Sequence, residues 1–264
     1  MGDDSRIYFL NLNRHEARFK YMRTQLDGQG LSWERFIATD ALEASEEELN
    51  EYTDAEGPIP RMGKGARACT VGHFKIWKHF LETGASAAFI LEDDALLSKH
   101  FAEFVGEALR HTAEVDILNF NRQNSKGVHK KLVVSTANPI KNKLFEARQL
   151  LAPHYGTAGY MITREAAQRL VYEIKRTNMP IDCLLFSPNV SRVSREFRVY
   201  QTFPAMVQPD INAFQTSIQN EPVPQAISVF KKIKRAYYEV NRVPLLLLNI
   251  VLGRAKVKIL NFSQ

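Results

Sequence analysis

Two kinds of hydrophobic pattern alternate along the chain: short uninterrupted apolar runs, and longer stretches with apolar residues at helical spacing. The first kind marks strands buried on both faces, and the second marks helices with one face on a core. Arg6 to Leu12 predicts a first strand, followed by a helix from Arg14 to Leu26 that stops at Asp27-Gly28. Trp33 to Ala38 predicts a second strand. Arg67 to Thr83 predicts a helix with Thr70, Phe74, Trp77 and Leu81 on one face and Gly84 as its stop. Ala87 to Leu91 and Asp116 to Phe120 predict buried strands. Gly156 to Ile162 leads into Thr163, an N-cap for a helix from Arg164 to Lys175, and Met179-Pro180-Ile181-Asp182 introduces a shorter helix. Pro204 to Asn212 predicts a strand and turn. Asn121 to Leu151 is too polar and irregular for assignment and has room for an active-site loop. Alternation of strand and helix without internal repeats predicts an α/β fold, a largely parallel sheet flanked by helices.

At 264 residues with 45% hydrophobic content, the chain is long enough for one large or two small domains with a proper core. Only Cys69 and Cys183 occur, and no signal-peptide pattern precedes Ile7-Tyr8-Phe9-Leu10. A disulfide framework is therefore not expected, and the cytoplasm is. Arg6 stands where N-myristoylation requires Ser or Thr. The net charge of +6 is unevenly spread. Charged residues from Asp40 to Gly57 are all acidic, which predicts a solvated helix and loop. From Phe230 on, Lys231, Lys232, Lys234, Arg235, Arg242, Arg254, Lys256 and Lys258 face a lone Glu239. Between them runs Val243 to Leu252, about ten apolar residues where a membrane span needs about 20. Two readings fit this segment. It is either a C-terminal helix packed on the domain with a solvated basic face, or an amphipathic segment lying on an anionic membrane surface. Nucleic acid is not an expected partner, since no signature of such binding occurs and aromatic residues are not interleaved with the basic ones.

The chemistry concentrates where the strand Ala87 to Leu91 ends in Glu92-Asp93-Asp94. Ligands of open α/β sheets sit beyond the carboxyl ends of strands, and paired carboxylates there can hold a divalent cation against nucleotide phosphates. The competing reading makes Asp93 and Asp94 the acidic start of a helix over Leu96 to Phe101. Arg14 and Arg18, at i and i+4, share a helix face near the first strand's end, placed for a diphosphate or as ordinary surface arginines. Gly156 to Gly159 admits close backbone approach to a ligand or tight strand packing. Cys69 and His73, also i and i+4, suggest zinc, but no third and fourth ligand follows at suitable spacing. A histidine beside Trp77 and Phe80 is otherwise a buried core residue.

These segments, taken in order, resemble glycosyltransferase family 25, whose bacterial members build lipopolysaccharide or lipooligosaccharide. The likeness rests on Asn11-Leu12 with Arg14 and Arg18, Ala68-Cys69 with His73 and Trp77, and Leu91-Glu92-Asp93-Asp94. It continues through Gly156-Thr157-Ala158-Gly159-Tyr160, Thr163-Arg164-Glu165-Ala166, Pro180-x-Asp182, Gln208 and Ser217-Ile218. The Gly-Thr-Ala-Gly-Tyr segment is most similar to the family's bacterial β-1,4-galactosyltransferases. Gly72 departs from the pattern, standing where members usually carry Ser before the histidine.

The resemblance implies a GT-A-like fold in a domain spanning 1–225; the basic pattern of 226–264, outside the resemblance, leaves that segment either packed on the domain or attached to the cytoplasmic face of the inner membrane. The resemblance also implies transfer of a hexose, galactose from UDP-galactose first, with inversion, onto a lipid-linked or lipopolysaccharide acceptor. UDP-glucose or a UDP-N-acetylhexosamine is the alternative donor. Mn²⁺ or Mg²⁺ would sit on Asp94 and Asp93. Asn11, Arg14, Arg18, His73, Glu92, Asp93, Gly156, Thr157 and Gly159 would form the donor side, and Tyr160, Asp182 and Gln208 the acceptor side, with Asp182 as catalytic base. Two other classes remain open from the residues alone: a metal-dependent phosphohydrolase or nucleotidyltransferase using Asp93-Asp94, and a non-catalytic membrane-associated scaffold.

Overall fold

A computed structural model describes residues 4–57, 62–123, 130–214, 233, 236–238 and 240–264. The opening strand β1 (Ser5–Asn11) lies between β2 (Glu34–Ile37) and β3 (Ala87–Glu92), parallel to both. Beyond β3 come β9 (Gly159–Thr163), β5 (Ile117–Asn119), β10 (Val199–Phe203), β8 (Glu146–Gln149) and β7 (Ile140–Lys141), completing an eight-stranded sheet in the order β2-β1-β3-β9-β5-β10-β8-β7. β9 and β8 run against their neighbours, so the other strands share one direction. The α/β fold is as expected, with parallel pairing concentrated in the first half.

Strand alternation sends side chains to two separate cores. On one face, Tyr8, Leu10, Ile90, Tyr160 and Ile162 pack against α3 (Lys64–Glu82), α5 (Arg164–Glu173) and α6 (Ile181–Phe186) through Phe74, Trp77, Leu170 and Leu185. On the other, Ile7, Phe9, Phe89, Leu91 and Met161 meet Met22 and Leu26 of α1 (Glu16–Gly28) and Phe101, Phe104 and Val105 of α4 (Phe101–Leu109). Burial on both faces is why these strands read as continuous apolar runs. Thr163 caps α5 as expected, its hydroxyl accepting from the Ala166 amide at 3.2 Å. Within the acidic segment, Ser45 caps α2 (Glu46–Tyr52), whose Leu49 and Tyr52 are buried.

Several elements differ from expectation. The residues after the carboxylates form a strand, β4 (Ala95–Leu97), paired antiparallel with β11 (Val207–Pro209); the next helix starts only at Phe101. Asp93 and Asp94 are therefore not the acidic start of a helix. The unassigned stretch contains β6 (Lys130–Ser135), β7 and β8. The C-terminal segment divides in two. Its end, β12 (Ala255–Leu260), pairs antiparallel with β6 and buries Ala255 and Leu260, so it belongs to the domain and not to a separate appendage. Before it, α8 (Val243–Val251) buries no residue. α7 (Val193–Glu196) lies between α6 and β10. Among the described residues, no helix is long and apolar enough to cross a membrane. The motif residues Ser217 and Ile218, and Phe230 to Lys232, lie outside the described residues.

At Gly159, the first residue of β9, the packing leaves no room for a side chain. A Cβ there would come within 2.4 Å of the Phe120 ring and 3.2 Å of Leu91, both wholly buried. Gly159→Ala is expected to destabilise the fold by about 1–3 kcal/mol, the usual cost of overpacking a filled core. A lowered urea midpoint at unchanged slope is the expected observation, and an unchanged midpoint would show that the Phe120 ring yields freely.

Candidate active site

Because β9 runs antiparallel to β3 and β5, the residues entering it sit at the carboxyl ends of those strands. Thr157 thereby reaches Glu92 across the sheet edge, its hydroxyl donating to Glu92 Oε1. Gly156 has φ +87°, a backbone region suited to glycine, and its amide donates to Asp182 Oδ2 at 3.0 Å. The second Asp182 oxygen accepts from the Cys183 amide at 2.7 Å. Asp182 lies inside the first turn of α6, whose N-cap is Pro180, so it is a bridge between that helix and the Gly156 loop and not the cap itself.

Asp93 is buried and held from β1 and α1. Its Oδ2 accepts from Asn11 Nδ2 at 2.8 Å and its Oδ1 from Arg18 Nη1 at 2.8 Å, with His15 Nδ1 3.7 Å from Oδ2. Arg18 also lies 3.6 Å from Asp94 Oδ2, and its guanidinium rests 5.2 Å from the centre of the Phe214 ring. Asp210 joins from β11's end: its amide donates to the Asp94 carbonyl at 2.7 Å, and its carboxylate accepts from the Tyr21 hydroxyl at 2.6 Å. Burial holds the Asp94 carboxyl above its usual range, Arg18 opposing and Asp93 and Asp210 adding to the rise. For Glu92, burial and then the Asp94 charge push the pKa up to about 8.

That accumulation of negative charge fits a divalent cation. Asp94 has the strained charge that a cation would relieve, while each Asp93 oxygen keeps one lone pair after its existing hydrogen bond. Lys130, outside the sequence-based candidates, stands near Asp182, which opposes the burial that lowers the lysine pKa to about 8. Asn121, wholly buried at the end of β5 beside Gly156, has neither side-chain polar atom hydrogen-bonded within the protein.

Other candidates are placed differently than expected. Arg14 turns away from the carboxylates and grips Asp40 with two bonds, at 2.6 and 3.1 Å. Tyr160 is completely buried, its hydroxyl bonded to His73 Nδ1 at 2.8 Å and accepting from Trp77 Nε1 at 2.9 Å, so it supports His73 from within the core and does not face an acceptor. Gly159 is a packing glycine, and the backbone approach falls to Gly156 alone. His73 is likewise buried, with its pKa lowered to about 3 by desolvation. Gln208 lies opposite Leu96 in the β4-β11 pair, with Oε1 buried and unbonded.

The raised Glu92 pKa has a testable sign. Between the ordinary carboxyl range near 4.5 and about 8, the folded state retains a proton that the unfolded state has lost, so stability falls as pH rises through that window. Glu92→Gln, measured in EDTA, is expected to gain melting temperature relative to the parent at pH 8 and to lose that advantage near pH 4. A parallel pair of stability curves across this range would remove the buried acid from the argument.

The sequence profile of "Glycosyltransferase family 25 (LPS biosynthesis protein)" matches residues 4–185, which contain every element from β1 to most of α6. A "Glycosyltransferase 25 family member" of Aedes aegypti is 27% identical over 180 residues, 64% of this chain and 28% of that protein. The chain spans only 28 to 30% of the length of such mosquito relatives. Similarity to bacterial proteins is more complete. "Lacto-N-neotetraose biosynthesis glycosyltransferase LgtB" of Neisseria meningitidis serogroup B is 24% identical over 213 residues, covering 78% of this chain and 76% of that one. "Lipooligosaccharide biosynthesis protein lic2B" of Haemophilus influenzae is 25% identical, covering 68% and 69%. With the family's profile covering more than half of its length, the chain belongs to glycosyltransferase family 25.

Proposed function

We propose that the protein transfers a hexose from a UDP-sugar, galactose from UDP-galactose in the first instance, onto an acceptor sugar of lipopolysaccharide or lipooligosaccharide with inversion of the anomeric carbon. The observation that carries this reading is the convergence of Asp93, Asp94, Arg18 and Asp210 beyond the carboxyl end of β3, in a member of this family. Asp94, with Asp93, would hold Mn²⁺ or Mg²⁺; when bound, such a cation neutralises diphosphate charge and stabilises the UDP leaving group. Arg18 orients both carboxylates, and Asn11 fixes Asp93. Asp182 takes the proton of the acceptor hydroxyl as it attacks from the face opposite the leaving group. The bacterial relatives' names and the Gly156 to Tyr160 likeness support the acceptor class and galactose.

Incubating the protein with each UDP-sugar, Mn²⁺ and a lipooligosaccharide acceptor tests the reading. Acceptor-dependent UDP release, greatest with UDP-galactose, is expected. Greatest release with UDP-glucose or a UDP-N-acetylhexosamine would reassign the donor, and phosphate release without acceptor would favour a phosphohydrolase.

A lipid-borne acceptor gives α8 a role on the cytoplasmic face of the inner membrane. Leu245, Leu247, Leu248 and Val251 are exposed on it, with Arg242 and Arg254 at its ends and the Lys256 and Lys258 of β12 beyond. Leucines in the acyl boundary with basic residues at headgroup level is the physics of interfacial binding. Because β12 is part of the domain, substitution is the appropriate test rather than deletion. Replacing Leu247 and Leu248 with Asp is expected to abolish sedimentation with anionic vesicles while sparing turnover on a soluble acceptor. Undiminished sedimentation would mean that α8 is not the contact.

A further inference from the structure

The fold brings Glu92, the last residue of β3, to the Cys69 and His73 face of α3, supplying the third ligand that local spacing did not provide. We propose that Cys69, His73 and Glu92 form a transition-metal site of the zinc class, separate from the Asp93-Asp94 carboxylates. One donor atom from each side chain, a sulfur, a ring nitrogen and a carboxylate oxygen, falls within 4.8 Å of the others. Tetrahedral zinc with bonds of about 2.0–2.3 Å spaces its ligands by roughly 3.3–3.8 Å, so closure needs about 1 Å of side-chain movement.

A second observation points to a ligand here. His73 is wholly buried, and its Nε2 has no hydrogen-bond partner. Its other nitrogen, Nδ1, is fixed by the Tyr160 hydroxyl, which Trp77 fixes in turn. Leaving an imidazole nitrogen unbonded in a core is costly. One ring nitrogen anchored and the other open is how ligating histidines are oriented, and Glu92 is anchored in the same way by Thr157. Thiolate, imidazole and carboxylate together select zinc-like ions over the hard, all-oxygen preference of Mg²⁺ and Mn²⁺. Two anionic ligands balance the charge of a divalent ion, and the protons of the Cys69 thiol and any protonated Glu92 leave on binding. Three protein ligands leave a fourth position for water, and a filled site would clamp α3 to the strand end carrying Asp93 and Asp94.

The full chain, stripped with EDTA and titrated with Co²⁺ as a spectroscopic probe, tests this independently of sugar transfer. A thiolate-to-cobalt charge-transfer band that saturates at one equivalent is expected, displaced by Zn²⁺, whatever further cobalt the Asp93-Asp94 carboxylates take up. Cys69→Ser should lose that band, whereas Asp94→Asn should keep it. Glu92→Gln retains the thiolate and is expected to bind at least about tenfold more weakly, which serves if Cys69→Ser does not fold. A parent protein without the band, or Glu92→Gln with unchanged affinity, would overturn the site.

Discussion

Asp94→Asn is expected to lower turnover by at least about 10²-fold with donor saturating, the scale on which loss of a preorganised electrostatic group acts. The substitution keeps the shape of the side chain and removes its charge. What remains at the strand end is Asp93, already engaged on both oxygens by Asn11 and Arg18, and Asp210, engaged by Tyr21. Each Asp93 oxygen keeps a lone pair for a cation, but neither carboxylate can move into the place of Asp94 without breaking a bond of 2.6 to 2.8 Å. Burial, ahead of the smaller push from Asp93 and Asp210 and against the pull of Arg18, holds the parent carboxyl above its usual range, so removing its charge relieves a desolvation cost in the metal-free protein. A melting temperature equal to or above the parent's in EDTA, combined with the loss of turnover, is therefore the expected signature. Mn²⁺ affinity, measured by paramagnetic relaxation, should fall in parallel. Retention of full activity by the variant in EDTA would sink the metal reading.

β1 and β3 were legible because their apolar runs are buried on both faces of the sheet. β10 was not, since Gln201 and Thr202 stand wholly buried in its middle, polar residues inside a central strand. β6 was hidden for a different reason: it pairs with β12, whose residues lie more than a hundred positions away. The strand-ending carboxylates and Arg18 could be found from position alone, because a strand end and a helix start are adjacent in any βα unit. Their fine placement could not. Arg14 and Arg18 share a helix spacing, yet only Arg18 reaches Asp93, and Arg14 is drawn to Asp40 on the far loop. Tyr160 follows the alternation of β9 inward, to the side of Tyr8 and Ile162, and away from the site. Asp210 meets Tyr21 across 189 positions, a contact with no local signature.

Asp182→Asn is expected to reduce turnover by about 10²–10⁴-fold, the usual contribution of a positioned general base. The geometry makes this a two-part experiment. Both Asp182 oxygens accept from backbone amides, those of Gly156 and Cys183. An amide side chain offers one accepting oxygen and turns an NH₂ toward the other N–H, so one of these bonds is lost. A buried donor left unbonded costs about 1–3 kcal/mol, which for a chain of this size corresponds to a melting point lower by roughly 2–10 °C. Structure and chemistry therefore separate by magnitude and by parameter. Loss of the bridge alone would loosen the Gly156 loop, raising the dissociation constant of the UDP-sugar with a modest change in turnover. Loss of the base leaves donor affinity within about tenfold while turnover collapses. Asp182→Ser, which keeps one short acceptor and no base, should match the Asn variant in turnover if the carboxylate takes the proton. Near-normal turnover of either variant, or a product with retained anomeric configuration, would require another base or another mechanism, with Lys130 and Glu92 the neighbouring ionisable groups to examine next.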